Sequence, residues 1–174
     1  MTALINDPQR PYLFLDVDGV ANSHKPFPNG YNGMDWENVQ HLNWVIKETG
    51  CKIVVSSAWR YNVWGASMNL KGLINLFLSH GVDCYGDVIV GITRRDISAE
   101  ATDRGEQIAE WVREHNVKRY AVVDDGGYED PPHNTVWTDL GIRSAGHPVV
   151  FTDGKVGLTR LDAAKLINIL GGKT

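Results

Sequence analysis

Apolar residues along the chain fall into two alternating patterns. Short, nearly unbroken apolar blocks alternate with longer stretches whose apolar positions recur three and four apart. The first block, PYLFLDV at 11–17, predicts a short strand buried on both faces. A loop rich in turn formers follows, SHKPFPNGYNG, with two prolines and two glycines of its own. Residues 35–49 (DWENVQHLNWVIKET) predict an amphipathic helix. Asp35 stands at the N-cap position, Leu42, Val45 and Ile46 share one face, and Gly50 is a stop. KIVV at 52–55 is the second strand. Residues 66–80 predict a helix closed by Gly81, and 87–90 a third strand. Residues 103–115 (DRGEQIAEWVREH) predict a helix with Ile108, Trp111 and Val112 inward. RYAVV at 119–123 and VVFT at 149–152 are further strands, and LDAAKLINIL at 161–170 is a terminal helix.

Strand and helix in alternation imply right-handed crossovers and a parallel sheet. The fold class expected is α/β, a Rossmann-like three-layer α/β/α sandwich with a mainly parallel sheet. No repeat or low-complexity linker interrupts the pattern, so residues 1–174 read as a single domain. Trp36, Trp44 and Trp111 fall on helices and read as core.

Composition narrows the function classes. The chain has 174 residues, 43% hydrophobic and 22% charged, enough apolar material for a core of its own. A formal net charge of −4 argues against non-specific coating of nucleic acid, which needs Lys and Arg to neutralise phosphates. No apolar run approaches the roughly 20 residues of a membrane span, and no leader pattern opens the chain. Cys51 and Cys84 form no C-x-x-C motif, so a reducing, cytoplasmic setting is the default and their pairing is left open. No histidine spacing suits zinc, and no phosphate-binding glycine loop is present.

In doubly wound sheets ligands sit at the carboxyl ends of the strands. Those ends carry Asp16-Val17-Asp18-Gly19, then Ser56-Ser57 with Trp59-Arg60 close behind, then Asp124-Asp125-Gly126-Gly127. Arg104 opens the helix that leads into the fourth strand. Singly, each has a bland reading: a turn, a helix cap, a loop, a surface charge. Together they form a pattern. Four carboxylates converging on one site need a cation, and hard oxygen donors suit Mg²⁺ rather than zinc. A carboxylate beside Mg²⁺ can attack phosphorus to form an aspartyl-phosphate. A second carboxyl nearby can protonate the leaving oxygen and later activate water.

These segments resemble the haloacid dehalogenase (HAD) superfamily of phosphohydrolases. LFLDVDGVAN resembles its first motif, IVVSS its second, Arg104 stands at its third, and AVVDDGG resembles its fourth. A closer likeness is to the HAD branch of Swiss-army-knife RNA-repair proteins, carried by DVDGV-N, SS-x-WR, DRGEQIAEWV, VVDD and the tail Thr152 to Thr159. The phosphatase domain of polynucleotide kinase-phosphatases is similar more loosely. The resemblance implies Asp16 as nucleophile and Asp18 as general acid and base, with its main-chain carbonyl on Mg²⁺. It implies Asp16, Asp18, Asp124 and Asp125 around the metal, and Ser56 on the transferring phosphoryl group, with Ser57 as the competing assignment. Arg104, in place of the more usual Lys, would neutralise phosphate and the Asp16 carboxylate. Ala21 departs from the pattern without consequence for the chemistry.

The intervals between motifs are filled by predicted core elements, which leaves no room for a large cap domain. An open site suits a large phosphorylated substrate, such as a nucleotide or a nucleic-acid end, with no membrane involved. A separate kinase or ligase on another chain is a further expected partner. Gly19 and Arg60 are candidate substrate contacts. His24, Lys25, Arg94 and Arg95 lie in loops at the same edge, and Trp59 or Trp64 could stack a base. His133 reads as a loop residue. The alternative is a non-catalytic or partner-dependent phosphate-binding module on the same fold. A dehalogenase acting at carbon is disfavoured, because such members lack the second aspartate, here Asp18.

Overall fold

The computed structural model describes residues 10–23, 33–60, 69–93, 104–126, 129–130, 135–136, 141–143 and 145–172. In chain order the elements are β1 (Tyr12–Leu15), α1 (Trp36–Thr49), β2 (Lys52–Val55), a 3-10 turn (Ala58–Arg60), α2 (Leu70–Ser79), β3 (Ile89–Ile92), α3 (Arg104–Glu114), β4 (Tyr120–Asp124), β5 (Glu129–Asp130), β6 (Thr135–Val136), β7 (Val149–Phe151) and α4 (Arg160–Leu170). Five strands form one sheet in the order β3-β2-β1-β4-β7, and every pairing in it is parallel. β5 and β6 pair separately as a small antiparallel ribbon. Among the described residues no cap domain stands over the strand tips.

The strands are apolar throughout because successive side chains serve opposite faces. Leu13, Leu15, Ile53, Val55, Ala121 and Val123 join a core cluster with residues of α1, α2 and α4. Tyr12, Phe14, Val54 and Val122 point the other way and pack with Ile108 of α3. Three helices therefore cover one face and α3 covers the other.

Local signals set most boundaries. Gly50 takes the left-handed conformation at φ 60° and donates to Ile46 O, which ends α1. Thr159 and Asp162 form a reciprocal capping box at the start of α4. Where expectation and structure differ, longer-range contacts decide. The third strand begins at Ile89, two residues later than expected. Tyr85 to Val88 form a turn, with Gly86 at φ 75° and Asp87 held by Arg10 at 2.7 Å. α2 starts at Leu70 because the Asn69 side chain caps it, accepting from Gly72 N. Asp35 occupies the N-cap position of α1 but caps no helical amide. Its Oδ2 instead accepts both the backbone N–H and the hydroxyl of Ser23, each at 2.8 Å.

Trp36 is a correction. It is 75% exposed, because it opens α1 well round the helix from the buried stripe of Val39, Leu42 and Ile46. Trp44 and Trp111 do pack against the two core clusters. Cys51 and Cys84 are both buried free thiols, and burial pushes each up to about 11.

Candidate active site

The parallel ladders run one residue past the strands and bring the site to one level. Asp16 N donates to Val123 O at 3.0 Å, Ser56 N to Leu15 O at 2.9 Å, and Thr152 N to Asp124 O at 3.0 Å. The pairing Leu15↔Val55 and Leu15↔Val123 puts Asp16, Ser56 and Asp124 side by side. Alternation puts them all on the α3 side of the sheet, continuing Phe14, Val54 and Val122. α3 begins with Arg104, which thus arrives over them.

Arg104 joins the two central carboxylates. Its Nη1 lies 2.6 Å from Asp16 Oδ2 and 2.5 Å from Asp124 Oδ2. The other oxygens accept backbone amides: Asp16 Oδ1 from Val17 N at 2.8 Å, and Asp124 Oδ1 from Gly126 N at 2.9 Å. Burial pushes the Asp124 carboxyl up to about 6, Arg104 pulls it down, and the neighbouring Asp16 adds to the rise. Burial alone would weaken the Arg104 cation, but Asp16 and Asp124 outweigh it and raise its pKa.

The start of α3 is itself anchored. A Cβ on Gly105 would lie 2.3 Å from Gly141 O, so the helix can dock here only without a side chain. His147 Nε2 donates to Gly105 O at 2.7 Å, and its Nδ1 meets the Tyr120 hydroxyl at 2.8 Å. This buried contact fixes the main chain beside Arg104. His147 carried no signal in the sequence, because its partners lie 27 and 42 residues away.

The loop after β1 carries Asp18 and packs against Asp125, which follows β4. Val20, Ala21 and Asn22 all direct their N–H groups to Val17 O, winding the loop into one tight turn. Gly19 adopts φ 72°, and a Cβ there would sit 2.4 Å from Asp125 Oδ2. Glycine is therefore required twice, for the backbone and for the approach of Asp125. The tail at 152–159 buttresses the turn: Thr152 Oγ1 donates to Gly19 O at 2.7 Å, and Leu158 N to Val20 O at 2.8 Å. Asp18 stands apart from the other acids. Its Oδ1 accepts from Asn22 Nδ2 and from Trp59 Nε1, each at 2.9 Å.

The two serines differ in environment. Both are fully buried. Ser57 Oγ accepts from Trp59 N at 3.2 Å, which caps the 3-10 turn. Ser56 Oγ has no hydrogen-bond partner among the described residues. A buried hydroxyl left unbonded is costly, and it sets Ser56 apart from Ser57.

Asp16, Asp124 and Asp125 each offer an oxygen within 4.8 Å of the others. Three hard carboxylate oxygens grouped in this way are the donor type that Mg²⁺ takes. The donor set fits Mg²⁺.

The structure thus assembles Asp16, Asp124, Asp125, Arg104, Gly19 and Ser56 at one edge. Ser57 is adjacent but engaged with the turn, and the Asp18 carboxylate lies outside the acidic triad. Arg60 closes the 3-10 turn, and its side chain lies outside the described residues, as do His24, Lys25, Trp64, Arg94, Arg95, Gly127 and His133. Asn22 and Thr152 stood within the quoted motifs without an assigned role.

The family model described as the HAD domain in Swiss Army Knife RNA repair proteins matches residues 12–163, from β1 into α4. No curated protein and no solved structure matches the chain.

Proposed function

From a chain that belongs to the family of HAD domains of Swiss Army Knife RNA repair proteins, a family of phosphatase-type hydrolases, we propose a Mg²⁺-dependent phosphomonoester hydrolase working through an aspartyl-phosphate at Asp16. The observation that carries the reading is Arg104 bridging Asp16 and Asp124 beside the Ser56 hydroxyl, which has no partner among the described residues.

Asp16, Asp124 and Asp125 would hold the ion, with the main-chain carbonyl of Asp18. When bound, it supplies positive charge against the phosphoryl oxygens. The remaining steps belong to the chain. A carboxylate oxygen of Asp16 attacks phosphorus in line as the bond to the leaving oxygen breaks. Asp18 gives its proton to that oxygen. Asp18, now a carboxylate, takes a proton from water, whose oxygen attacks the phosphorus. The bond to Asp16 breaks, inorganic phosphate departs, and Asp18 is again protonated. Ser56 donates to a phosphoryl oxygen. The Arg104 cation balances charge on the phosphoryl group and on Asp16.

The substrate class proposed is a nucleotide or a nucleic-acid end, with a separate kinase or ligase acting beside this domain. The family's description and the absence of a cap among the described residues favour a large phosphorylated molecule. The test is phosphate release with Mg²⁺ from p-nitrophenyl phosphate, mononucleotides, and oligonucleotides phosphorylated at either end. Wild type should release phosphate, and Asp16→Asn should abolish it. A folded wild type that binds Mg²⁺ yet releases nothing from any of these would refute the reading.

A further inference from the structure

Trp59 was a candidate for stacking a base, and the structure gives its polar edge another partner. We infer that Trp59 is a positioning residue for Asp18, aiming the carboxyl that serves as general acid and base. The inference rests on the hydrolytic reading above.

The indole has one hydrogen-bond donor, and it is spent on Asp18 Oδ1 at 2.9 Å. Asn22 Nδ2 meets the same oxygen at 2.9 Å, while Asn22 Oδ1 accepts from Gly19 N. Two converging donors on Oδ1 fix the carboxylate plane and leave Oδ2 without a partner among the described residues. Oδ2 is then the oxygen placed to carry the proton. The site's bridging cation is committed elsewhere, since Arg104 bonds Asp16 and Asp124. Neutral donors orient Asp18 without placing a fixed charge against a group that must gain and lose a proton.

Trp59 is also held in place. Its backbone N–H is capped by Ser57 Oγ at 3.2 Å. Its ring packs half-buried on the main core and meets His80 edge-on, with centroids 6.1 Å apart. β2 and β1 are neighbours, so the turn after β2 lies beside the loop after β1. The indole thus links the second strand end to the acid of the first, and rigid packing of this kind preserves a reactive geometry.

The test is Trp59→Phe, which removes the donor and keeps an aromatic ring. Phosphate release is compared on p-nitrophenyl phosphate, whose leaving group departs without a proton, and on a nucleoside monophosphate, whose alkoxide needs one. The variant should lose about tenfold or more in kcat/KM on the nucleotide and less than about threefold on p-nitrophenyl phosphate, because kcat/KM ends at aspartyl-phosphate formation, before Asp18 activates water. Equal losses on both, or none on either, would overturn the inference. A second measurement is independent of turnover. The Trp59 indole N–H proton resonance in wild type should move upfield in Asp18→Ala, and an unmoved resonance would equally overturn it. A wild type inactive on both substrates would defeat the hydrolytic reading and with it the acid role assigned to Asp18, while the resonance still judges the hydrogen bond.

Discussion

Replacing Arg104 with Met keeps a long side chain and removes the only cation bonded to Asp16 and Asp124 among the described residues. At about 4 Å between charge centres and an effective dielectric near 20, each pair is worth about 4 kcal/mol before desolvation. Taking the guanidinium from water offsets much of that sum, and breaking a buried pair on one side typically costs about 3–5 kcal/mol. That is a large part of the roughly 5–15 kcal/mol that holds a domain together. Protonation limits the loss. The Asp124 carboxyl already stands at about 6 with Arg104 pulling it down. Without Arg104 it rises further and takes up a proton near neutral pH, so the expected loss is about 3 kcal/mol. Arg104 and Mg²⁺ call on the same carboxylates, and both are positive. Removing one therefore strengthens binding of the other. The assay is urea unfolding of wild type and Arg104→Met, each in chelator and in a Mg²⁺ series. Mg²⁺ should stabilise the variant more than the wild type. A loss under about 1 kcal/mol in chelator, or a Mg²⁺ effect no larger in the variant, would refute the reasoning.

Two further outcomes follow from the loops and caps. Gly19→Ala should displace Asp125, cost about 1–3 kcal/mol through φ 72° and the 2.4 Å approach, and weaken Mg²⁺ binding in calorimetry. An unchanged Mg²⁺ affinity would separate Gly19 from the metal. Asp162 carries a carboxyl held below its usual range: burial opposes this, but the Thr159 and Lys165 contacts prevail. A depressed carboxylate lends stability above its unfolded pKa and loses it as pH falls through the folded one. Asp162→Ala should thus cost about 1 kcal/mol at pH 7, and the gap to wild type in thermal unfolding should close below about pH 4. A gap that persists at low pH would show that the capping carboxylate is not its source.

Much of this molecule is written locally in its sequence. Apolar blocks of strand length alternating with amphipathic stretches specify the layers, because side chains alternate across a strand and repeat every 3.6 residues in a helix. The carboxyl ends of the strands then name Asp16, Ser56 and Asp124 as neighbours. Even which of the two serines lies on the face of Asp16 and Asp124 was latent in that alternation, since Ser56 shares their parity. Other features depend on contacts between residues far apart in the chain, which no local pattern records. Trp36 is exposed because of where α1 lies against the sheet. Asp35 spends its carboxylate on Ser23 rather than on its own helix. His147 anchors the start of α3 from across the fold, and Trp59 reaches Asp18 only because β1 and β2 are adjacent. The sequence by itself determined which groups stand at the strand ends. Tertiary packing decided which of them share a charge, which are held by neutral donors, and which hydroxyl has no partner among the described residues, because those outcomes depend on distance in space and on burial.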